Sequence, residues 1–409
     1  MNVVNQRCCG LDIHKKVVAA CALLEDAEGH VRKEFRTFGT MTDELLQLAG
    51  WLKEQGVTQV AMESTGVYWQ PIYNLLEDDF SLTLVNAQHI KRVPGRKTDM
   101  KDCEWIADLL RHGLLKASFV PNREQRELRE LTRYRTSLID ERSAEVNRLQ
   151  KTLEGANIKL ASVASSVVGK SGREILNELV GGSTDASLMA ELAKGRLRAK
   201  LPQLERALIG RFGAHQRFLV AQQLAHIDFL DDIIAQLDGE VAEREHPFDE
   251  AIERLDAIPG FGRRTAENLL AEVGTDMSRF PTSRHLASWA HMCPGNNESA
   301  GKRKTASTGH GNPWLRRLLT QSAQAAGHTK SYLGAQYRRL AVRRGKKKAV
   351  MAVGHSQLII AYHMLRLPVA YADLGPNYFD ERRPDTLQRQ LVARLERLGY
   401  DVRLTKRAA

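Results

Sequence analysis

The amino-acid sequence predicts an α/β layer domain followed by a longer, mostly helical remainder. Up to about residue 113, short apolar runs of strand length alternate with segments of helical spacing. From Pro121 onward, leucines and other apolar residues recur three and four positions apart among many Arg and Glu residues. A chain of 409 residues is long enough for two or three domains with their own cores. We therefore predict an N-terminal α/β domain at 1–119, a helical arm at 120–248 and a mostly helical third domain at 249–409.

The elements of the first domain follow from its apolar runs. Residues 8–24 contain two such runs around a polar turn at His14, Lys15 and Lys16, a pattern that predicts a β-hairpin. Leucines at helical spacing after Thr42, with acids in the first turn, predict a helix. In chain order we predict the hairpin, a strand at 31–38, a helix at 42–55, a strand at 57–62, a helix at 68–77, a strand at 82–85 and a helix from about Asp99 to Gly113.

Four acidic residues stand where these elements would bring them together. Asp12 lies within an otherwise apolar strand, where an unpaired acid would be costly. Glu63 ends the fourth strand, and Asp99 and Asp102 share one helix face. Four converging carboxylates would bind two Mg²⁺ ions, with Mn²⁺ as an alternative, because hard divalent cations prefer oxygen ligands. Such a site stabilises the attacking and leaving oxygens of a phosphodiester exchange. The alternative for Asp99 and Asp102 is a plain interaction with the helix dipole.

The region 120–248 has the periodicity of long helices. One helix is predicted at 122–153 and a second at 203–245, with shorter helices and loops between them. In the second helix, Ile227, Leu230, Ile234, Leu237 and Val241 alternate three and four apart, as in the seam of a coiled coil. This arm either packs within the chain or joins protomers into a dimer or tetramer.

Residues 255–274 have the pattern of a helix-hairpin-helix. Gly260 and Gly262 would form a tight turn, and the second helix would open with N–H groups suited to a phosphate. Arg263 and Arg264 lie beside them. Such a hairpin contacts the nucleic-acid backbone without reading bases. A plain helical turn is the alternative.

The segment 294–304 resembles a phosphate-binding loop but departs from it twice. Five residues separate Gly295 from Gly301 where four are needed, and Arg303 stands where Ser or Thr should follow the lysine. This excludes an NTPase of that type. What remains is a small-residue loop that presents Ser299 amid Lys302, Arg303 and Lys304. Serine in a polar loop is either a turn residue or a nucleophile, and Ser307 and Thr308 compete for the latter role.

The positive charge of the chain is concentrated near its C-terminal end. The chain has 60 Lys and Arg against 49 Asp and Glu, a net charge of +11. Residues 299–372 contain 14 Lys or Arg and no acid, which favours a nucleic-acid partner. Helices are predicted from Asn312, at 332–343, at 347–366 and from about 386, the last turning at Gly399 into a short strand. The basic residues expected to contact phosphates there are Arg316, Arg317, Arg343, Arg344, Lys346, Lys347 and Lys348.

The remaining composition indicates an intracellular protein. The five cysteines are scattered and form no metal-binding or disulfide pattern, which suits reduced thiols in the cytoplasm. The start carries no signal-peptide pattern, and no apolar run approaches the length of a membrane span. No membrane association is therefore expected.

Five stretches of the sequence resemble the IS-one-ten family of bacterial insertion-sequence transposases, the DEDD transposases, and the resemblance covers essentially the full chain. The ending, Leu374 to Asp380 with Leu398-Gly-Tyr400, is similar to the eleven-eleven subgroup. The matching stretches are Gly10-Leu-Asp-Ile-His-Lys-Lys16, Met62-Glu-Ser-Thr-Gly-Val-Tyr-Trp69, Lys97-Thr-Asp-Met-Lys-Asp102, Ile258-Pro-Gly-Phe-Gly262, and Ser299-Ala-Gly-Lys302 continued by Gly311-Asn-Pro-Trp-Leu-Arg-Arg-Leu318.

This resemblance implies a fold and a reaction. It implies an N-terminal domain like the RuvC junction nuclease, with an RNase H fold, then a coiled-coil arm and a C-terminal transposase domain. It further implies recombination guided by a structured (bridge) RNA that pairs with donor and target DNA, in the bacterial cytoplasm and at the nucleoid. The family's catalytic tetrad falls on Asp12, Glu63, Asp99 and Asp102, and its serine nucleophile on Ser299. Ala300 departs from the family pattern, which often has glycine there.

Two other functions compete with Mg²⁺-dependent strand exchange through a covalent serine–DNA ester. A hydrolytic junction resolvase would use the same four acids with water as the nucleophile. A non-catalytic architectural DNA binder would need only the basic region and the hairpin. The architectural reading leaves Asp12 and the spacing of the four acids unexplained.

Overall fold

The computed structural model describes residues 3–86, 102–294, 298–299, 301–303, 308–309, 311–382 and 384–405, and of 298–299 and 302–303 the backbone alone. The chain divides into two compact units, residues 1–123 and 124–409. Each unit is described by itself. The predicted domain boundaries at 119/120 and 248/249 stay a prediction.

The first unit contains a five-stranded mixed sheet, and its elements confirm the predicted order. Strands β2 and β3 pair antiparallel with β1 and β2 respectively, whereas β4 and β5 continue the sheet in parallel from β1, giving the order β3-β2-β1-β4-β5. The elements are β1 (Arg7–Ile13), β2 (Val17–Glu25), β3 (Val31–Gly39), α1 (Thr42–Glu54), β4 (Gln59–Glu63), α2 (Trp69–Leu76), β5 (Ser81–Val85) and α3 (Asp102–Arg111).

Helices cover both faces of the sheet. On one face, Cys9, Leu11 and Ile13 of β1 pack in a cluster with apolar residues of α1 and α2. On the other face, Cys8 packs in a second cluster with Ile106 and other residues of α3. Because side chains alternate along a strand, β1 is apolar at nearly every position, as expected for a strand buried on both sides.

The second unit is mostly helical. Its longest helices, α4 (Arg123–Gly155) and α9 (Ala214–Glu245), run antiparallel, since their ion pairs couple residues in opposite chain order. The other helices are α5 (Leu160–Val163), α6 (Lys170–Gly181), α7 (Ala186–Glu191), α8 (Leu201–Leu208), α10 (Asp249–Asp256), α11 (Arg263–Val273), α12 (Ser283–Trp289), α13 (Pro313–Gly327), α14 (Tyr332–Arg344), α15 (Lys346–Arg366), α16 (Tyr378–Glu381) and α17 (Pro384–Arg397). Two-residue strands β6 (Glu298–Ser299) and β7 (Lys302–Arg303) pair antiparallel.

The α4–α9 pair is held by both apolar and ionic contacts. Leu138 of α4 packs with Leu230 and Ile234 of α9, which are two residues of the predicted seam. The buried Arg135 lies 2.9 Å from carboxylate oxygens of both Asp238 and Glu267. A buried guanidinium of this kind is tolerated because it is paired, and loss of one partner is costly.

Three predictions about element boundaries were wrong. The helix expected at 203–245 breaks at 209–213, where a Cβ at Gly210 would lie 2.5 Å from the backbone oxygen of Ala156. Lys346, Lys347 and Lys348 form the first turn of α15 and not a connecting loop, because Gly345 alone makes the turn with φ +85°. The expected strand after Gly399 is absent, since described residues 400–405 form no regular element.

Two further findings concern composition. All five cysteines are free thiols, as the sequence predicts. Within the described ranges, no helix combines the length and apolar character that crossing a membrane requires.

The first testable prediction concerns Glu245, a fully buried carboxyl group at the end of α9. Neither carboxyl oxygen has a hydrogen-bond partner among the described residues. Burial raises the pKa of Glu245 from an ordinary 4.5 to about 8, and the nearby Glu267 acts in the same direction, against Arg135 and Arg263. The folded protein therefore retains a proton that the unfolded chain loses. This group's contribution to stability is greatest below pH 4.5 and falls as the pH rises to 8.

The change Glu245→Gln should remove this dependence. We expect the free energy of unfolding of the variant to exceed that of the wild type by roughly 3–5 kcal/mol above pH 8, and to match it near pH 4.5. Urea denaturation at a series of pH values measures both. Glu243→Gln, an exposed position on the same helix, is the control. Equal pH profiles for Glu245→Gln and wild type would contradict the prediction.

Candidate active site

Asp12 and Glu63 lie at matching positions on the two parallel strands at the centre of the sheet. Leu11 of β1 pairs with Met62 of β4, so the next residue of each strand is one of the two acids. Parallel strands end at the same edge of a sheet, so both acids lie at that edge. Ala61, two residues before Glu63, belongs to the cluster beneath α3. By strand alternation, both acids lie on the face that α3 covers.

Helix α3 begins at Asp102 and approaches β1 very closely. A Cβ atom at Gly10 would lie 2.2 Å from the backbone oxygen of Cys103 and 2.4 Å from the backbone nitrogen of Ala107. Residue 10 therefore has no room for a side chain. Gly10 precedes Asp12 by two residues, and Cys103 directly follows Asp102. This one contact consequently brings the start of α3 to the sheet face that bears Asp12.

Asp12 has an immediate partner that the sequence analysis did not assign. The Nε2 atom of His14 lies 3.2 Å from Oδ2 of Asp12. The Asp12 side chain is 18% exposed, whereas that of His14 is 67% exposed. The signal was available, because His14 directly follows β1 and comes only two residues after Asp12. Sequence reasoning missed it by treating His14 only as a turn residue.

The cysteines beside these acids are not candidates for metal ligands or nucleophiles. Burial raises the pKa of Cys8 and of Cys21 to about 12, so both thiols stay protonated. Burial also raises the pKa of Cys103, and the nearby charge of Asp12 acts in the same direction.

The acids fit a hard divalent cation in their chemistry. Asp12, Glu63 and Asp102 offer only carboxylate oxygens, which such cations prefer. Within the part of the chain that the structure describes, no group of three or more His, Cys, Asp or Glu side chains is arranged to hold a metal ion. Asp99, the fourth predicted ligand, lies outside the described residues.

Ser299 lies in the second unit, in a β-hairpin and not in the open loop that the sequence analysis expected. Ser299 pairs with Lys302 and Glu298 with Arg303, which leaves a two-residue connection. Gly301 in that connection has φ +74°, a left-handed conformation that glycine adopts without strain. Ser299 therefore directly precedes a tight turn. Lys304 and Ser307 lie outside the described residues.

The segment between His291 and Asn312, called here the Ser299 segment, carries this hairpin, and its two ends are held together. A Cβ at Gly311 would lie 2.6 Å from the backbone oxygen of Ala290, and one at Gly309 would lie 2.2 Å from Nδ1 of His291. The Arg316 guanidinium donates hydrogen bonds to the backbone oxygens of His291 and Gly309. The two glycines therefore permit a close backbone approach that closes the base of the segment.

A buried carboxylate fixes where the segment ends. Asn312 caps α13 by accepting hydrogen bonds from the backbone N–H groups of Trp314 (3.0 Å) and Leu315 (3.1 Å). Its Nδ2 atom donates to the carboxylate of Glu272, which Arg133 also binds through both of its oxygens, at 2.7 and 2.9 Å. The Glu272 side chain is 3% exposed. Sequence reasoning missed this clamp because its members lie far apart in the chain.

Helices α10 and α11, joined by a turn at Gly260, lie where the sequence predicted a helix-hairpin-helix at 255–274, but most of its distinctive residues have internal partners. A Cβ at Gly260 would lie 2.3 Å from the backbone oxygen of Ser322, so the turn packs against α13. Arg263 is paired with Asp249 and Glu267, and Arg264 with Asp238. Gly262, Arg263 and Arg264 are nevertheless exposed at the start of α11.

The other predicted phosphate contacts fall into two groups. Arg316 donates a hydrogen bond to the backbone oxygen of Gly309 in the Ser299 segment, and Arg317 forms a bidentate ion pair with Asp140. Arg343, Arg344, Lys346, Lys347 and Lys348 are exposed and have no acidic partner among the described residues. For Lys302 and Arg303 only the backbone is described, which lies in β7.

Two family models match separate parts of the chain. A family model of IS110-type DEDD transposases, described as "Transposase", matches residues 9–158, and one described as "Transposase IS116/IS110/IS902 family" matches residues 252–338. The first range contains the four predicted acids, and the second contains Ser299. The transposase for insertion sequence element IS1111A of Coxiella burnetii is 24% identical over 294 residues, 70% of this chain and 72% of that one.

Two other proteins are also similar to this chain. A probable family 20 transposase of Pseudomonas aeruginosa is 24% identical over 322 residues, 77% of this chain and 82% of the relative. The pilin gene-inverting protein of Moraxella bovis is 31% identical over 157 residues, 37% of this chain and 46% of that protein. These matches define the protein as a DNA transposase. The chain belongs to the IS110 family of insertion-element transposases, which confirms the resemblance found in the sequence. DEDD transposases generally use divalent metal ions.

The second prediction tests the close approach of α3. Gly10→Ala places a methyl group against the backbone of Cys103 and Ala107, so α3 must move away from β1. We expect the free energy of unfolding to fall by roughly 1–3 kcal/mol and hydrogen exchange in α3 to accelerate. The matched control is Gly50→Ala in α1, where a Cβ meets nothing within 4 Å. Unchanged exchange in α3 of the Gly10→Ala protein would show that the contact does not hold the helix.

The third prediction tests the clamp at the end of the Ser299 segment. Asn312→Ala removes the cap of α13 and one hydrogen-bond donor to the Glu272 carboxylate. This loss should lower the free energy of unfolding by about 1–2 kcal/mol. Hydrogen exchange of the Trp314 and Leu315 amides should accelerate. Asp185→Ala, which removes the equivalent cap of α7, should affect only α7. Unaltered exchange at the start of α13 would argue against the clamp.

Proposed function

We propose that this transposase exchanges DNA strands through a covalent ester between Ser299 and a DNA phosphate. The reaction would depend on divalent ions, two Mg²⁺ or alternatively Mn²⁺, held by Asp12, Glu63, Asp99 and Asp102. The observation that carries the proposal is the shared face of Asp12, Glu63 and the start of α3, fixed by strand register and by Gly10. The name of the Moraxella bovis relative, a gene-inverting protein, also fits recombination.

In this mechanism the protein positions the reacting groups. The strand register sets Asp12 and Glu63 at matching positions, and the contact at Gly10 brings the start of α3 to the same face. Asp102 and Asp99 would complete the set of metal ligands. When bound, divalent ions supply polarisation of the scissile phosphate. The Ser299 hydroxyl oxygen would attack that phosphate and form a P–O bond while the bond from phosphorus to one deoxyribose oxygen breaks. The serine would lose its proton, and the cleaved strand would leave with a hydroxyl group that takes one up. The ester conserves the bond energy, and rejoining to a new partner needs no ATP, which agrees with the lack of a phosphate-binding loop in the sequence.

The finer features of the fold and the partners belong to the same proposal. The sheet order β3-β2-β1-β4-β5 is consistent with a RuvC-like RNase H fold for the first domain. The antiparallel α4–α9 pair would be the coiled-coil arm that joins protomers into a dimer or tetramer, and residues 255–274 the helix-hairpin-helix. A structured guide RNA would pair with donor and target DNA and supply most sequence choice, as in other RNA-guided systems. The reaction would take place at the bacterial nucleoid.

The fourth prediction is a covalent-adduct test. Purified protein, Mg²⁺, the guide RNA and labelled donor and target DNA are combined, denatured and separated on a gel. We expect an adduct with the wild type and a loss of at least about a thousandfold in Ser299→Ala. Asp12→Asn and Glu63→Gln should also lose the adduct while retaining nucleic-acid binding, because they remove metal ligands only. Ser307→Ala, which changes a neighbouring serine, is the matched control and should react normally.

The outcomes separate the competing functions. Cleaved DNA without an adduct in either wild type or Ser299→Ala would establish the hydrolytic resolvase and overturn the serine mechanism. An adduct that persists in Ser299→Ala but disappears in Ser307→Ala would move the nucleophile to Ser307. Wild-type recombination in Asp12→Asn and Glu63→Gln would remove the tetrad from catalysis.

A further inference from the structure

A cleft of about 550 Å³ lies between α14 and the C-terminal segment of the second unit. One wall is the α14 face that carries Arg338, Arg339 and Arg343. The opposite wall comprises Phe379 and Asp380 of α16 together with the start of α17. The proposed strand-exchange mechanism does not use this cleft, and of its arginines only Arg343 was expected from sequence to contact phosphate.

The outer wall of the cleft is built by specific contacts. The carboxylate of Asp373 accepts hydrogen bonds from the backbone N–H groups of Tyr332 (3.1 Å) and Gly375 (2.7 Å) and from the Tyr371 hydroxyl (2.8 Å). The Tyr332 ring stacks on the Phe379 ring at 5.3 Å between centroids. Asp373 therefore ties the returning chain to the first turn of α14, and the stacked rings hold α16 in place.

The arginines of the cleft are ordered but not neutralised. The Arg339 guanidinium carbon lies 5.3 Å from the centre of the Phe379 ring, a cation–π contact. Arg338 donates to the backbone oxygens of Gly327 (3.3 Å) and Thr329 (3.0 Å). None of the three arginines forms an ion pair with an acid among the described residues, and all three are exposed. The walls thus carry three positive charges against the single negative charge of Asp380.

The spacing of these groups suits phosphates. Arg339 and Arg343 lie four residues apart on α14, so their Cβ atoms are about 5–6 Å from each other on one helix face. Guanidinium groups bind phosphate oxygens through paired hydrogen bonds. Beyond Arg343 the positive surface continues through Arg344 and Lys346–Lys348, without acidic partners among the described residues. A surface of this length matches a polyanion better than a single small anion.

We propose that this cleft binds the phosphodiester backbone of a nucleic acid, with Arg339 and Arg343 as its principal contacts. The proposal rests on the nucleic-acid function proposed above and adds a site to it. DNA and RNA share this backbone chemistry, so the experiment must distinguish them. Because the contacts are to phosphates, the site would add affinity and orientation and would read no bases.

The test is equilibrium binding by the full-length protein, followed by fluorescence anisotropy. The probes are labelled duplex DNA, single-stranded DNA and an RNA hairpin, at salt concentrations from roughly 50 to 200 mM. We expect Arg339→Ala/Arg343→Ala to bind the probe that occupies the cleft about tenfold more weakly. The slope of log affinity against log salt should become shallower by about 1.8 for a duplex and about 1.4 for a single strand. The affected probe identifies the nucleic acid.

Two controls separate the cleft from general charge. Arg206→Ala/Arg211→Ala removes two exposed arginines of the same unit outside the cleft. Asp373→Ala keeps every arginine and increases the net positive charge, but it releases the outer wall. Charge alone predicts tighter binding by Asp373→Ala, whereas a built cleft predicts weaker binding. Circular dichroism and the melting temperature of each variant verify its fold, and Arg339→Lys/Arg343→Lys keeps the charge if the alanine variant does not fold.

Each remaining outcome overturns the proposal in a recognisable way. If the cleft variant and the Arg206→Ala/Arg211→Ala control lose equal affinity, the cleft is no special site, although nucleic-acid binding by the transposase stands. If Asp373→Ala binds more tightly, charge alone explains the affinity and the cleft is not a built site. Labelled polyglutamate serves as a fourth probe. If its binding depends on the two arginines and the binding of no nucleic acid does, the cleft binds an acidic protein. If the wild type binds none of the probes at low salt, the proposed function fails as well.

Discussion

The close contact of α3 with β1 at Gly10 is the constraint on which the first unit depends. A helix can approach a strand to this distance only where no side chain intervenes. Any larger residue would move the whole helix and not merely its own atoms, because the opposing atoms are backbone atoms of Cys103 and Ala107. The absence of a Cβ atom at residue 10 therefore sets the distance between the sheet edge and the start of α3. The position of Asp102 relative to Asp12 follows from that distance.

Two buried charges of the second unit, Arg135 and Glu272, each bind several partners and thereby organise its helices. Arg135 joins α4 to α9 and α11 through Asp238 and Glu267, and Glu272 joins α4 and α11 to the cap of α13. Buried ions add little net stability, but an incorrect arrangement would leave a charge unpaired at a cost of several kcal/mol, roughly 3–5. Such networks therefore select one packing of the helices over alternatives. This packing of the helices therefore fixes the position of the end of the Ser299 segment.

Sequence patterns predicted the elements that depend on local periodicity. The order of strands and helices in the first unit followed from apolar runs, and Leu45, Leu48 and Leu52 of α1 are buried as their spacing requires. The errors arose where distant contacts decide. Gly210 breaks a helix because the turn at Ala156 packs against it, and no local signal reveals that neighbour. The hairpin at Ser299 was missed because its strands are only two residues long.

The candidate site shows the same division. Strand alternation and helical spacing sufficed to place Asp12 and Glu63 at one edge. By contrast, the partners of Glu272 come from positions about 140 residues earlier and 40 residues later in the chain, and only the fold brings them together. A motif can identify a chemical group, but the residues that hold it in place belong to a network whose members have no fixed spacing in the sequence.

The distribution of charge distinguishes structural from binding roles within the second unit. In α4 and at the start of α11, arginines such as Arg142 and Arg264 are paired with acids, so they contribute little to the electrostatic potential around the protein. From residue 299 to residue 372 the chain contains no acid at all, and after Arg317 its cations lack acidic partners among the described residues. Like charges crowded on adjacent helices repel one another, and three lysines at the positive end of α15 add to that cost. A bound polyanion neutralises these charges and removes the repulsion between them. The unpaired cations therefore favour the binding of nucleic acid, whereas the paired cations do not.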